Sequence, residues 1–283
     1  MTCIRDGLSQ PPGAPGERNR TLANRDTCTL PGPWRSRSLL PCLLLLIAAW
    51  PAHAMAFGSD FTFGGSLAFT SDFIYRGLSE SGGHGAGQFD VHADIGGTFA
   101  GVWASTRDHD FDPYADYDVE IYLGHHFALS SAWGVSVSGR ARYYVGGNQP
   151  FSNDYQEISG SLTYLDVWSL SVTAIPNAVQ YWYDTRLGRT NAWVGETTGQ
   201  WLVIGLAQGG LFLTGSAGYY YASGTGSGYA VANHYAYGNA GLAVEFRRWR
   251  LDVGYFLTQA RAEQLTPYPV ANDRFAGTLS WRF

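Results

Sequence analysis

From residue 60 to the C terminus, apolar and polar residues alternate with period two, and the charges keep to one parity. One stretch sets Phe61, Phe63, Leu67, Phe69, Phe73 and Tyr75 against Thr62, Ser66, Thr70, Asp72 and Arg76. Others set Phe89, Val91, Ala93 and Ile95 against Asp90, His92 and Asp94, or Val119, Ile121 and Leu123 against Asp118 and Glu120. Near the end, Leu251, Val253, Tyr255 and Leu257 oppose Arg250 and Asp252. Successive side chains of a strand point to opposite faces, so each stretch is a strand with one apolar face. No helical period lasts more than a turn or two.

Twelve strands are expected, over 60–76, 87–96, 99–106, 116–128, 133–146, 154–165, 167–181, 190–205, 210–222, 234–247, 249–261 and 272–283. Most exceed the roughly 5–6 residues usual in globular proteins and reach the ~9–11 that cross a bilayer at a tilt. Connections at 96–98, 129–132, 165–167, 206–210 and 247–248 are short. Those at 77–86, 107–115, 147–153, 182–189, 223–233 and 262–271 are longer and rich in Gly, Asp, Asn and Pro. This alternation is that of a bacterial outer-membrane barrel with short periplasmic turns. The expected fold is all-β: a closed antiparallel transmembrane β-barrel with both termini periplasmic.

A soluble sandwich also alternates, but its polar face is solvated and carries many charges. Here only 14% of residues are charged, against about 25% in soluble domains, and there is no lysine. The polar faces are instead rich in Gly, Ser and Thr. Aromatics cluster where interface girdles fall: Trp133, Trp168, Trp249 and Trp281 near the short turns, and Tyr181, Trp182, Tyr183, Tyr219, Tyr220 and Tyr221 near the loops.

The one strongly apolar run, Leu39 to Trp50, is too short for a spanning helix of about 20 residues. Arg35 and Arg37 precede it, and Ala52, Ala54 and Ala56 follow, the make-up of a secretory signal. Cleavage is expected after Ala54, or second after Ala56. Residues 1–33 make a long n-region rich in Pro, Gly and Arg, and the true start is expected downstream of Met1. The organisation is thus 1–54 as N-terminal extension and signal peptide, and 55–283 as barrel. Cys3, Cys28 and Cys42 all leave with the signal, so the mature chain has no thiol chemistry. Cys42 opens the apolar run rather than closing it, unlike a lipidated cysteine. Loss of six of 18 basic and three of 23 acidic residues leaves 12 against 20, a net charge of −8 unsuited to nucleic acid.

Two stretches resist the pattern. Residues 190–205 keep no clean parity and leave Glu196 without an assigned face. Pro176 removes a ladder donor, so either a bulge sits there or the strand ends early. At the C terminus, Phe275, Leu279, Trp281 and Phe283 stand on one parity, and the terminal aromatic resembles the signal read by the barrel-assembly machinery.

The stretch TSDFIYRGLSES at 70–81, GVWAS at 101–105 and YDVEIYLGH at 117–125 together resemble the TorF-family porins, small bacterial outer-membrane proteins. Glu80 stands where that family has Gln. The resemblance covers residues 60–125 and implies an outer-membrane channel without catalytic residues.

Charged residues on the polar parity are the pore-lining candidates: Arg76, Arg140, Arg142, Arg250, Arg274 and Arg282 against Asp90, Asp94, Glu120, Glu157, Glu245 and Asp252. Mixed signs imply a transverse field across a narrow pore, or salt bridges that fill the barrel. Arg76 is expected at the outer end of the first strand, paired with Asp72 or Asp90. Residues 107–118 hold five Asp but break the EF-hand pattern at Pro113 and Val119. They read as a solvated acidic loop, with a weak divalent-ion site on lipopolysaccharide phosphates as the alternative. His234 at the outer rim is the candidate base of a lipid hydrolase, but no Ser follows at two-residue spacing, and nothing fixes Ser223 or Ser227 beside it. No catalytic residue, metal ligand or cofactor is expected. The expected function is passive diffusion of small hydrophilic solutes, with a plugged structural or adhesive barrel as the alternative. The expected partners are small solutes, outer-membrane lipids with lipopolysaccharide, the assembly machinery and periplasmic chaperones. N-terminal sequencing of protein recovered from membranes should begin at Met55 or Phe57; a start upstream of Leu39 would overturn the signal.

Overall fold

The computed structural model describes residues 61–110, 112, 114–147, 152–182, 185–223, 233–266 and 271–283. The signal-peptide reading lies outside them. Twelve long strands form the wall: β1 (Phe61–Thr70), β4 (Ala86–Ile95), β5 (Thr98–Thr106), β6 (Tyr117–Ala128), β7 (Trp133–Val145), β8 (Tyr155–Tyr164), β9 (Trp168–Trp182), β10 (Thr185–Leu206), β11 (Gly209–Ser223), β12 (His234–Phe246), β13 (Trp249–Thr258) and β14 (Arg274–Arg282). Two further strands, β2 (Ile74–Tyr75) and β3 (Leu78–Ser79), pair only with each other. A short 3₁₀ helix covers Ala260–Leu265.

Each wall strand pairs antiparallel with its neighbours in sequence, and β14 closes on β1 to complete the barrel. Closure satisfies the backbone groups that an open edge would leave bare in lipid. The seam runs from Ser66↔Arg282 to Thr70↔Thr278. It extends to the last residue, where the Phe283 N–H donates to the Gly65 carbonyl at 3.1 Å and the Gly65 N–H to that of Phe283 at 3.3 Å. Both ends of the barrel chain lie on the side of the short turns.

The apolar parities face outward. Phe61, Phe63, Leu67, Phe69, Ile121, Leu123, Leu251, Val253, Leu257, Phe275 and Leu279 are all exposed. In water this would be a large unfavourable surface; in a bilayer it is the lipid contact, where a charge at the midplane costs roughly 2–4 kcal/mol. Trp133 and Trp249 lie exposed near the short turns, and Tyr219 and Tyr221 near the loops. Tyr181 and Tyr220 do not join them: both turn into the barrel.

Three boundaries differ from the sequence reading. The first strand stops at Thr70 rather than continuing to 76, so Phe73 and Tyr75 leave the lipid-facing row. The stretch 182–189 is not a loop throughout, since β10 starts at Thr185 and its hairpin with β9 extends far past its neighbours. The eleventh expected strand ends at Thr258, before the 3₁₀ helix, not at 261.

Of the alternatives at Pro176, the structure has the bulge. Ala192 pairs with Ile175 and Thr190 with Ala178, so Pro176 and Asn177 together oppose Asn191. The Asn177 side chain repairs the ladder by accepting from the Gln156 N–H at 2.9 Å. The lost parity of 190–205 has two causes. A register shift between Leu202 and Ile204 turns consecutive residues outward. Higher up, Ala192 and Val194 are buried inside while Trp193 faces out, so both faces are apolar. These inner residues belong to a cluster with Ile175, Ala178, Ala222, Tyr235 and Tyr237 that fills part of the upper lumen.

The seam makes Gly65 sensitive. A Cβ there would stand 2.4 Å from the Asp90 carbonyl oxygen and 2.6 Å from the Phe283 ring. Gly65→Val should cost about 1–3 kcal/mol of overpacking and lower the temperature at which the band shifts on unboiled gels. Gly87→Ala, with open space around its Cβ, should leave it unchanged; equal effects would show that the seam is not tightly closed.

Candidate functional site: a hairpin folded into the lumen

After Thr70 the chain turns inward rather than out into a loop. Ile74↔Ser79 and Tyr75↔Leu78 form a two-strand hairpin whose tip is Arg76-Gly77. Both tip residues have positive φ, 51° and 78°, as in the type I′ turn that matches the twist of flanking strands. Gly77 is needed for space as well as for φ: its Cβ would lie 2.6 Å from Tyr237 Cβ and from Thr258 Oγ1. The Thr258 hydroxyl donates to the Gly77 carbonyl at 2.5 Å.

The polar residues of TSDFIYRGLSES build this turn. Asp72 is the hub of its base. It accepts from Ser79 Oγ at 2.5 Å and Ser81 Oγ at 3.1 Å on Oδ1, and from Arg274 Nη1 at 2.9 Å on Oδ2. Ser81 Oγ accepts the Phe73 N–H at 2.9 Å, and the Phe73 ring packs on Trp103 with centroids 5.3 Å apart. At the tip, Arg76 makes a two-pronged bond to Glu157, Nη1–Oε1 2.7 Å and Nη2–Oε2 3.0 Å. The hairpin thus starts at β1, is tied to β14, reaches β8 through Arg76 and touches β12 and β13 through Gly77.

The expected partners of Arg76, Asp72 and Asp90, are therefore corrected to Glu157. Asp90 instead accepts from Tyr122 Oη at 2.7 Å and lies 2.6 Å from His92 Nδ1. Asp94 accepts the Gly97 N–H at 3.2 Å at the short-turn end. Arg140, Arg142, Glu120 and Glu157 come together beneath and beside the hairpin. Arg142 and Asp118 are buried to side-chain exposures of 1% and 0%, with Arg142 Nε 2.8 Å from both carboxylate oxygens. Arg140 reaches Glu120 at 3.4 Å and Glu157 at 3.6 Å. A second group sits nearer the short turns, where Arg250 bonds Glu245 and Asp252, each at 2.7 Å, and Gln200 at 3.1 Å. Arg282, 57% exposed, reaches Glu245 at 3.4 Å at the rim. All six candidate arginines are thus in ion pairs.

Three cavities surround the hairpin. Two on the short-turn side have volumes of about 720 and 710 Å³ and share Phe73, Ile74, Trp103, Glu196, Ser216 and Phe256. The second is lined by a hydroxyl ladder in which Ser136 and Ser161 are 2.6 Å apart and Ser159 and Thr173 2.8 Å. The third, about 340 Å³, lies toward the loops and is walled by tyrosines. It shares only Tyr75 and Arg76 with the second, so the hairpin tip divides an inner chamber from an outer vestibule.

Four of the five Asp of the acidic segment, Asp118 among them, are in internal bonds. Asp112 is buried and accepts from Arg107 at 3.0 Å, Asp108 meets His84 at 2.7 Å, and Asp116 meets His109 at 2.9 Å. No group of three possible metal ligands occurs among the described residues. His234 has both ring nitrogens engaged, Nδ1 with Asn233 at 2.7 Å and Nε2 with Arg261 at 2.5 Å. Ser223 donates to the Asn191 carbonyl at 2.8 Å, and Ser227 lies outside the described residues.

Sequence reasoning missed the Glu80–Arg107 pair, 2.5 Å apart, which ties the hairpin's outer end to β5. Burial pushes the Glu80 carboxyl up, but Arg107, with Arg142 and Arg76 beyond it, outweighs burial and holds its pKa below the ordinary carboxylate value. Strand parity gave no signal for it, since Glu80 and Arg107 both lie outside the wall strands.

Residues 54–183 match the profile of a bacterial protein family of unknown function, Gcw_chp, over less than half of the chain. That segment contains the whole hairpin with Arg107, Asp118, Arg142 and Glu157. No curated protein matches the sequence. Among solved structures, the NanC porin is similar at TM-score 0.48 and 11% identity, over 77% of this chain and 98% of that one. Salmonella typhi OmpF, in complex with daunomycin, is similar at 0.41 and 10%, over 79% and 97%. Pseudomonas aeruginosa OprD is similar at 0.38 and 7%, over 80% and 67%. At these values the likeness says nothing about the lumen.

Because the folded pKa of Glu80 is depressed, its pair with Arg107 contributes stability above the unfolded carboxylate value, about 4.3, and loses it as pH falls through the lower folded value. Wild type should therefore melt higher than Glu80→Gln at pH 7, with the gap narrowing as pH falls below the ordinary carboxylate range. A gap that does not change with pH would show that the pair's charge contributes nothing.

Proposed function

We propose that this protein is an outer-membrane channel for small hydrophilic solutes, narrowed by the hairpin at Tyr75 and Arg76. The carrying observation is the lumen on the short-turn side. Two cavities of about 700 Å³ with hydroxyl-lined walls leave room for water and solute, whereas a barrel serving only as scaffold would fill that space with side chains. The short turns are read as periplasmic and the loops as outside, so solute enters through the tyrosine vestibule. The resemblance of residues 60–125 to TorF-family porins supports the same reading.

A plugged structural barrel is the second reading. It is favoured by the pairing of all six candidate arginines and by the apolar cluster in the upper lumen. The channel reading accommodates both, since paired charges fix a constriction without filling it. It also fits a catalyst poorly, because His234 is held by Asn233 and Arg261.

Planar-bilayer recordings of the wild type should show small, steady, salt-dependent current steps. The double variant Arg76→Ala/Glu157→Gln removes the tip anchor and leaves no orphan charge in the pair. Its conductance should rise on the order of twofold, as widening a constriction requires. Inserted protein that stays silent in both forms would favour the plugged barrel, and equal conductance in both would place the constriction elsewhere.

A further inference from the structure

The vestibule outside the hairpin has a composition unlike the rest of the lumen. Tyr75, Tyr144, Tyr155, Tyr181, Tyr220 and Tyr235 all line its roughly 340 Å³. Pockets that hold small molecules are of this kind: concave, mostly aromatic and apolar, with a few polar groups that orient the ligand. Three properties narrow what could occupy it.

The first is charge. The ionised residues on its wall are Arg76, Glu80, Arg107 and Asp112, two of each sign. Arg76 is bound to Glu157, and Arg107 to both Glu80 and Asp112. A charged ligand of either sign would have to break these pairs, which makes charge a penalty.

The second is the state of the aromatic faces. Arg142 already lies 4.0 Å from the centroid of Tyr75, 5.8 Å from that of Tyr144 and 6.0 Å from that of Tyr155. The place a ligand cation would take over these rings is filled by a resident guanidinium.

The third is unspent hydrogen-bonding capacity. Tyr155 Oη accepts from Arg142 at 2.9 Å, Tyr75 donates to Glu157 at 3.3 Å, and Tyr181 donates to Asn153 at 2.8 Å. Tyr220 and Tyr235 are different. Their rings stack at 5.2 Å and 24°, and among the described residues neither hydroxyl has a hydrogen-bond partner. Tyr235 is 2% exposed as a residue, but its unpartnered hydroxyl is not sealed off, so it opens onto the pocket. Both hydroxyls can donate and accept, so a ligand hydroxyl in the pocket can bond to them in place of water.

We infer that the vestibule is a binding site for a neutral, ring-shaped, polyhydroxylated solute, a mono- or disaccharide. The sugar's apolar face lies on the tyrosine rings, and its hydroxyls bond to Tyr220 and Tyr235. The hydroxyl ladder of the inner chamber offers the same kind of partner further along. This inference uses the channel reading for the solute's route, while the site itself stands on the vestibule.

The test is ligand-observed NMR on protein expressed from the full sequence and purified in detergent, with glucose, glucosamine and glucuronate as neutral, cationic and anionic probes of one ring size. Glucose should bind in the millimolar range, with the two charged probes weaker by about fivefold or more. Tyr220→Phe/Tyr235→Phe keeps both rings and removes both hydroxyls; it should weaken glucose on the order of tenfold. Absence of glucose binding, equal binding of all three probes, or binding unchanged in the double variant would each overturn the site. Displacement of glucose by phenol, with phenol the tighter ligand, would reassign it to aromatic solutes. Bilayer conductance of the same preparation separates the two claims. Glucose binding to a silent barrel keeps the site and removes the channel, whereas conductance without binding removes only the site.

Discussion

The carboxylate of Asp72 holds together what makes this barrel more than a cylinder. Its two oxygens receive Ser79, Ser81 and Arg274, so one side chain closes the base of the hairpin on itself and on the last strand. A carboxylate inside a barrel is costly unless its lone pairs are met, and here three donors meet them. Everything beyond follows from that base. The tip is aimed at Glu157, Phe73 is laid against Trp103, and the lumen is split into two compartments of different chemistry.

That chemistry changes along the bore. On the inner side the wall is serine, threonine and paired charges around wide cavities. On the outer side it is tyrosine and alanine, packed closely enough to have a hydrophobic cluster of its own. A membrane barrel is commonly imagined as apolar outside and polar inside. Around Ile175, Ala192, Val194, Ala222 and Tyr235, β9 to β12 are apolar on both faces, because they face lipid on one side and a packed vestibule on the other.

This double burial also marks the limit of what sequence could tell. The barrel was legible because lipid enforces a strict rule, and residues such as Phe61, Phe63, Ile121 and Leu251 obey it at two-residue steps. The hairpin was not, because Phe73 and Tyr75 continue the rhythm of β1 after the strand has ended. Period two records that alternate residues are apolar, not whether lipid or a neighbouring ring covers them. The departure was carried by Asp72 and by Arg76-Gly77, whose meaning depends on Arg274 and Glu157, far away in the chain. Likewise Ala192 and Val194 blurred the parity of β10 and gave no hint that they were buried inward. The pore-lining candidates could be named from parity, but their pairing could not, since register across several strands decides it.

The distances along the chain tie the hairpin to the closing of the wall. Arg76 meets a residue 81 positions later, and Asp72 one 202 positions later, on the strand that closes the barrel. The Arg274 contact exists only where β14 lies beside β1, which is also where the wall closes. The join that completes the circumference therefore also completes the base of the hairpin. A barrel open at this seam would be unfinished along its axis as well as around its circumference.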